Sequence, residues 1–172
     1  MKYLFSLLVM FAVPFVVNAQ TDYATDVKSV DSIIKAVYEV ISGDAGKARD
    51  WERFKNLFHK DARLVPTTGK SPTTGLVSAR ALTPEDYIKL AEPIFLKDGF
   101  YEIEIARKTE GFGHIAHAFS SYQSKRLKSD RDPFMRGINS FQLLNDGKRW
   151  WILTIYWQQE SADYPIPQIY LK

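Results

Sequence analysis

Two titratable side chains, Glu104 and His117, fall on neighbouring predicted strands and could form an acid–base pair. If Gly111 and Phe112 make the turn between these strands, antiparallel pairing places both side chains diagonally on one sheet face. A carboxylate beside an imidazole can move protons to and from a bound substrate. The same arrangement also fits a structural pair that faces solvent or a subunit interface, so the pattern leaves both interpretations open.

Metal and cofactor chemistry find little support in the sequence. His114 and His117 are three residues apart on a predicted strand and therefore face opposite sides. His59 belongs to a different element, and the chain has no cysteine. Residues 69–71 (Gly-Lys-Ser) lack the earlier glycine that a phosphate-binding loop requires. We expect no metal site and no cofactor.

A second group of candidates lies in the last predicted hairpin, where amide side chains are interspersed with aromatic ones. Asp146 and Gly147 are typical of a tight hairpin turn, which would pair Gln142 with Trp151. Aromatic pockets with a few fixed hydrogen-bonding groups are common small-molecule sites, although core packing explains the pattern equally well. The candidate ligand-binding residues are Asn139, Gln142, Trp151, Tyr156 and Trp157.

Three helices are predicted to precede most of the strands. Asp26 is expected to cap a first helix whose apolar residues recur at helical spacing up to Ile41. Residues 51–58 show the same spacing over a shorter length. Thr83 begins the third helix with a capping hydroxyl, and Pro93 is expected to bend or interrupt it.

A predicted antiparallel meander follows the third helix, and a short strand at residues 61–66 precedes it. The last two strands of this meander are apolar on both faces. Such a sheet needs cover on both sides, which predicts helices on one face and a second subunit or the C-terminal tail on the other. The expected meander strands are residues 100–109, 114–124, 136–144 and 149–159.

The N-terminus has the pattern of a signal peptide. Lys2 supplies a positive charge, residues 3–16 are mainly apolar, and residues 17–19 (Val-Asn-Ala) suit a signal peptidase. The alternative is a retained membrane anchor, but the apolar run is shorter than a membrane-spanning helix needs. We therefore expect residues 1–19 to be removed and residues 20–172 to form one domain, either periplasmic or secreted, without a stable membrane anchor.

The net charge of the chain argues against two classes of partner. The chain carries a net charge of +3, with 23 basic and 20 acidic side chains. This excess is too small to indicate a nucleic-acid partner or an anionic membrane surface. The absence of cysteine means that the exported domain would rely on packing rather than on disulfide bonds.

Four blocks of sequence resemble the NTF2-like (SnoaL-like) superfamily, in particular its small exported bacterial members. They are residues 51–62, 114–122, 136–142 and 147–152. The resemblance implies an α+β fold, an NTF2-like cone with three N-terminal helices packed on a curled antiparallel sheet. It also implies an apolar pocket and often a homodimer formed through the sheet. Many enzymes of the superfamily hold an Asp in that pocket, and no acid of this chain matches their motifs.

Three functions are compatible with these observations. The first is an exported domain that binds a small, hydrophobic ligand in an apolar pocket without catalysis. The second is a cofactor-free isomerase or dehydratase that uses Glu104 and His117. The third is a structural dimerisation module with a collapsed interior. The orientation of His117 and the volume of the pocket distinguish the three.

Overall fold

The computed structural model describes residues 23–172, so the predicted signal peptide lies outside the described residues. Within residues 23–172 no helix is long and apolar enough to cross a membrane. The described chain forms helices α1 (Val30–Ile41), α2 (Trp51–Asn56) and α3 (Pro84–Asp98). Its strands are β1 (Phe58–Pro66), β2 (Tyr101–Phe112), β3 (Ile115–Lys125), β4 (Met135–Asn145) and β5 (Trp150–Gln159).

Helix α1 begins later than expected. Ser29, rather than Asp26, is its N-cap, and Ser29 and Ser32 form a reciprocal capping box. Asp26 lies in a preceding 3-10 turn, where its carboxylate binds Arg53 of α2 at 2.7 Å. The buried side chains of α1 face the sheet, as their spacing predicted.

The other two helices begin where the sequence indicates. Asp50 caps α2 by accepting a hydrogen bond from the amide of Arg53. Thr83 and Asp86 form a capping box at the start of α3. Pro93 does not end α3, which continues to Asp98 and stops at Gly99, a residue with φ of 68°.

The strands form one five-stranded sheet in the order β1-β5-β4-β3-β2. Strands β2 to β5 are an antiparallel meander, but β1 pairs with β5 in parallel. The expectation of a purely antiparallel sheet is therefore wrong: the curled sheet is mixed. The order of elements explains this, because α3 lies between β1 and the meander and allows β1 to join β5 in parallel.

The β2–β3 hairpin turns later than expected. Gly113, with φ of 55°, lies in the turn, and Glu110 rather than Ala106 is the partner of His117. The register shifts between Glu104 and Ala106, so residues on the two sides of this bulge follow a different alternation. The expected Glu104–His117 diagonal is therefore wrong.

The β4–β5 hairpin also differs in register from the expectation. Gln142 pairs with Thr154 instead of Trp151, because the loop is longer and the register shifts between Gln142 and Leu143. This bulge brings Trp157 directly opposite Asn139 on the helix-covered face.

The helices cover one face of the sheet, and the C-terminal tail crosses the other. We call these the inner and outer faces. Ser121 on the outer face donates a hydrogen bond of 2.7 Å to the carbonyl oxygen of Tyr170. The Tyr170 ring contacts Phe119 at a centroid distance of 5.4 Å, and Ile166 is buried. The apolar outer face predicted cover by a second subunit or by the C-terminal tail, and the tail does lie on this face.

Candidate functional site

A pocket of about 310 Å³ opens between the helices and the inner face of the sheet. Most of its lining is aliphatic or aromatic, as is usual for a small-molecule site. The lining side chains with polar atoms include Glu102 on β2, Tyr122 on β3 and Asn139 on β4. The apolar contributors are Val37, Ile41, Phe54, Leu64, Pro66, Leu82, Leu90, Ala91, Ile94, Phe95, Phe100, Met135 and Ile155, and Tyr87 and Trp157 add two further rings.

Glu102 is the carboxyl group of this pocket. Asn139 donates to its Oε1 at 3.1 Å, and Ser124 donates to its Oε2 at 3.0 Å. Burial raises the pKa of Glu102 to about 7, and the two hydrogen bonds oppose that rise. Near neutral pH the group therefore exists in both protonation states, as a general acid or base requires.

A hydrogen-bond network connects this carboxyl group to helix α1. The amide nitrogen of Asn139 also donates to the hydroxyl of Tyr38, at 3.1 Å. Tyr38 and Ser120 share a hydrogen bond of 2.6 Å, and Ser120 contacts Glu104. Burial, followed by the nearby Glu102, raises the pKa of Tyr38, which keeps its hydroxyl neutral. Helix α1 is thereby joined to three strands through polar contacts.

Tyr122 presents a buried hydroxyl that has no hydrogen-bond partner among the described residues. Its pKa is raised by burial and then by the charge of Glu102, so it too stays protonated. The pKa of Tyr87 rises for the same two reasons. Both rings therefore lie within the electrostatic influence of Glu102.

The predicted catalytic residues do not meet. Glu104 lies on the inner face and binds Ser120 at 2.6 Å and Arg107 at 3.2 Å. His117 lies on the outer face, where its side chain is 47% exposed and contacts the exposed Glu110 at 3.4 Å. Neither residue lines the pocket.

The predicted ligand-binding residues separate into two groups. Asn139 and Trp157 line the pocket. Gln142 is exposed beside His117, and Tyr156 is exposed on the outer face. Trp151 lies at the hairpin end, where its indole nitrogen donates to Asp146 at 2.7 Å.

Sequence reasoning missed Glu102, Tyr122 and Tyr87. The alternation of β2 contained a signal, because Glu102 and Glu104 share a parity opposite to that of Ile103 and Ile105. Hydrophobicity alone would favour the isoleucines for the core face. In the structure they are 41% and 36% exposed, and the glutamates point inward.

Metal ligation has no basis in this part of the chain. Residues 23–172 contain no group of three or more His, Cys, Asp and Glu side chains arranged to hold a metal ion. The polar side chains of the pocket instead offer one carboxyl and one amide, which can bind ligands through hydrogen bonds, and the phenol of Tyr87 and the indole of Trp157 belong to the same lining.

Neither a protein-family model nor a curated protein matches the sequence. Solved structures do match. A Nostoc punctiforme protein of unknown function with a cystatin-like fold aligns at a TM-score of 0.56 and 9% identity, over 77% of this chain and 90% of its own. A Xanthomonas campestris structure, provisionally described as a calcium/calmodulin-dependent protein kinase II association domain, aligns at 0.54 and 17% identity, over 77% and 86%.

A third structure, from Parabacteroides distasonis, is provisionally described as a ketosteroid isomerase. It aligns at a TM-score of 0.51 and 13% identity, over 80% of this chain and 98% of its own. Identities this low show the fold alone. With its helix-covered, curled sheet, the chain has the NTF2-like fold that its sequence resembles.

Proposed function

We propose that this protein binds a small, hydrophobic molecule in the pocket between its helices and the inner face of the sheet. One observation carries the proposal: an open pocket of about 310 Å³ has an almost wholly apolar lining with a few polar groups on its sheet side. A collapsed interior, which a purely structural dimerisation module could have, would not offer this space. The apolar lining favours ligands with a compact hydrocarbon or aromatic body.

A pocket-filling substitution tests ligand binding. Ala91 on α3 is buried and lines the pocket, so Ala91→Phe should occupy part of the space. We expect the wild type to bind the neutral fluorophore N-phenyl-1-naphthylamine and the variant to bind it at least about tenfold more weakly. Lys89→Phe places the same ring on the exposed side of α3 and is the control. Absence of probe binding to the wild type would contradict the proposal.

A second candidate function is a cofactor-free isomerase, favoured by the carboxyl group of Glu102 in an apolar pocket. With a pKa of about 7, Glu102 could take a proton from a carbon next to a carbonyl and return it at another position. Glu102 replaces Glu104 and His117 as the acid–base group of this proposal, because those two lie outside the pocket.

Deuterium exchange tests the isomerase proposal. We expect the protein to accelerate exchange at the carbons beside the carbonyl of 4-phenyl-2-butanone in heavy water, as followed by NMR. Glu102→Gln should remove the acceleration and Glu110→Gln should retain it, since Glu110 is exposed on the β2–β3 hairpin. Equal rates with and without protein would leave ligand binding as the function.

Export and homodimerisation complete the proposal. The N-terminal pattern supports removal of residues 1–19, and intact-mass analysis of protein from a secreting host tests it, with Gln20 as the expected first residue. The exposed Ile103 and Ile105 on the outer face support self-association through the sheet. We therefore propose an exported homodimer.

A further inference from the structure

The pocket contains an uncompensated carboxyl group. Among the described residues, its lining includes Glu102 but no Lys, Arg or His. Glu102 is held by the neutral donors Asn139 and Ser124. A negative charge in an apolar environment attracts a cation much more strongly than it would in water.

Arg49 packs against a ring of the pocket but does not serve as a counter-charge for Glu102. The guanidinium carbon of Arg49 lies 5.7 Å from the centre of the Phe95 ring, but Arg49 is not part of the lining. Its nitrogens donate instead to the carbonyl oxygens of Ile41 and Gly43, at 3.0 and 2.6 Å. The carboxyl group therefore remains available to a ligand.

Aromatic rings surround the same space. Phe54, Tyr87, Phe95, Phe100 and Trp157 line the pocket, and Tyr87 and Trp157 pack edge to face at 6.3 Å. Ring faces attract organic cations, most strongly where water is excluded. The Tyr122 ring belongs to the same lining.

We propose that the ligand of this pocket is a hydrophobic organic cation, an apolar body with one protonated amine, whose ammonium group pairs with Glu102. This inference rests on the proposed binding function and specifies its ligand class. An anionic ligand such as a fatty acid is disfavoured, because its carboxylate would meet Glu102 without a counter-charge.

Three probes with one apolar body test the inference. They are 4-phenylbutylamine, 4-phenylbutanol and 4-phenylbutanoate, measured by calorimetry at pH 8, where the amine is protonated and Glu102 is mainly ionised. We expect the amine to bind at least about tenfold more tightly than the alcohol, and the carboxylate to bind most weakly. An alcohol that binds as tightly as the amine overturns the inference.

Matched variants test whether Glu102 causes the preference for the amine over the alcohol. Glu102→Gln keeps the shape of the side chain and should bring the affinity of the amine down to that of the alcohol. Glu110→Gln removes an exposed carboxylate remote from the pocket lining and should keep the full preference. A preference that survives Glu102→Gln overturns the inference, and thermal melting of each variant verifies its folding.

The outcomes separate this inference from the function on which it rests. Suppose that N-phenyl-1-naphthylamine binds and Ala91→Phe blocks it, but the amine binds no more tightly than the alcohol. The proposed ligand binding is then supported, and the inference that the ligand is a cation is wrong. If neither the fluorophore nor any of the three probes binds, the proposed function itself fails. Binding of all three probes with equal affinity would leave a purely hydrophobic site.

Discussion

Asn139 on β4 donates a hydrogen bond of 3.1 Å to the carboxyl group of Glu102 on β2, across the intervening strand β3. The same amide nitrogen donates to Tyr38 of helix α1. One side chain thus joins the pocket carboxyl group to the helix layer. Changes in this network should alter both the stability of the fold and the chemistry of the pocket.

Glu102 makes stability depend on pH in an unusual direction for an acid. Its pKa rises from 4.5 to about 7 on folding, so between these values the folded chain holds a proton that the unfolded chain has lost. The free energy of unfolding that Glu102 contributes should therefore fall as pH rises through this range, by at most about 1.4 kcal/mol per pH unit. Above pH 7 the contribution should be lost.

Urea denaturation between pH 4.5 and 8 checks this dependence. The difference in unfolding free energy between wild type and Glu102→Gln should change across the range and become constant above it. Glu110→Gln, which alters an exposed carboxylate, should follow the wild type. A difference that is independent of pH would show that Glu102 has an ordinary pKa.

Tyr122 and Tyr38 should respond oppositely to removal of their hydroxyls. Tyr122→Phe deletes a buried hydroxyl without a partner and should leave the unfolding free energy unchanged or raise it by about 1 kcal/mol. Tyr38→Phe removes the partner of Ser120 and Asn139 and should lower it by about 1–3 kcal/mol. Denaturant titration compares the two variants. Equal losses of unfolding free energy would mean that the Tyr122 hydroxyl has a hydrogen-bond partner.

Gly137 should not tolerate a larger side chain. A Cβ atom there would meet the carbonyl oxygen of Gln158 and lie 2.6 Å from the Tyr122 hydroxyl. Because one obstacle is backbone, we expect Gly137→Ala to lower the unfolding free energy by about 2 kcal/mol or more. Gly69→Ala is the control, since nothing lies within 4 Å of its Cβ position. A change at Gly137 as mild as the control would mean that β5 can move away.

Self-association through the outer face should depend on the isoleucines of β2. Ile103 is 41% exposed there, and Ile103→Glu places a charge on the proposed interface. We expect light scattering to give the dimer mass for the wild type and the monomer mass for the variant at micromolar concentration. Lys89→Glu introduces the same charge on the exposed side of α3, away from the outer face, and should stay dimeric. A monomeric wild type would contradict the proposed dimer.

The local sequence was sufficient to predict the helices and strands, with boundaries correct to within a few residues. Thr83 caps its helix as expected, because capping needs only a side chain and a backbone amide three residues away. Ser29 was overlooked because Asp26 offered a competing cap, and only its contact with Arg53 shows how Asp26 is used. The resemblance to the NTF2-like superfamily supplied the fold.

The register of the strand pairing could not be predicted from the sequence. The turn at Gly113 and the register shifts after Glu104 and after Gln142 decide which side chains face the helices. An irregularity of one residue exchanges the two faces of a strand, and nothing local specifies where the extra residue lies. Asn139 and Trp157 are direct partners because of such a register shift between Gln142 and Leu143.

The sequence by itself determined an α+β fold with an aromatic closing hairpin, and it also contained every residue type that the pocket uses. Only the tertiary structure decided that Glu102, rather than Glu104 or His117, is the carboxyl group of that pocket. The reason is physical: the register of β2 and the packing of α1 turn this side chain inward, and burial then raises its pKa to about 7.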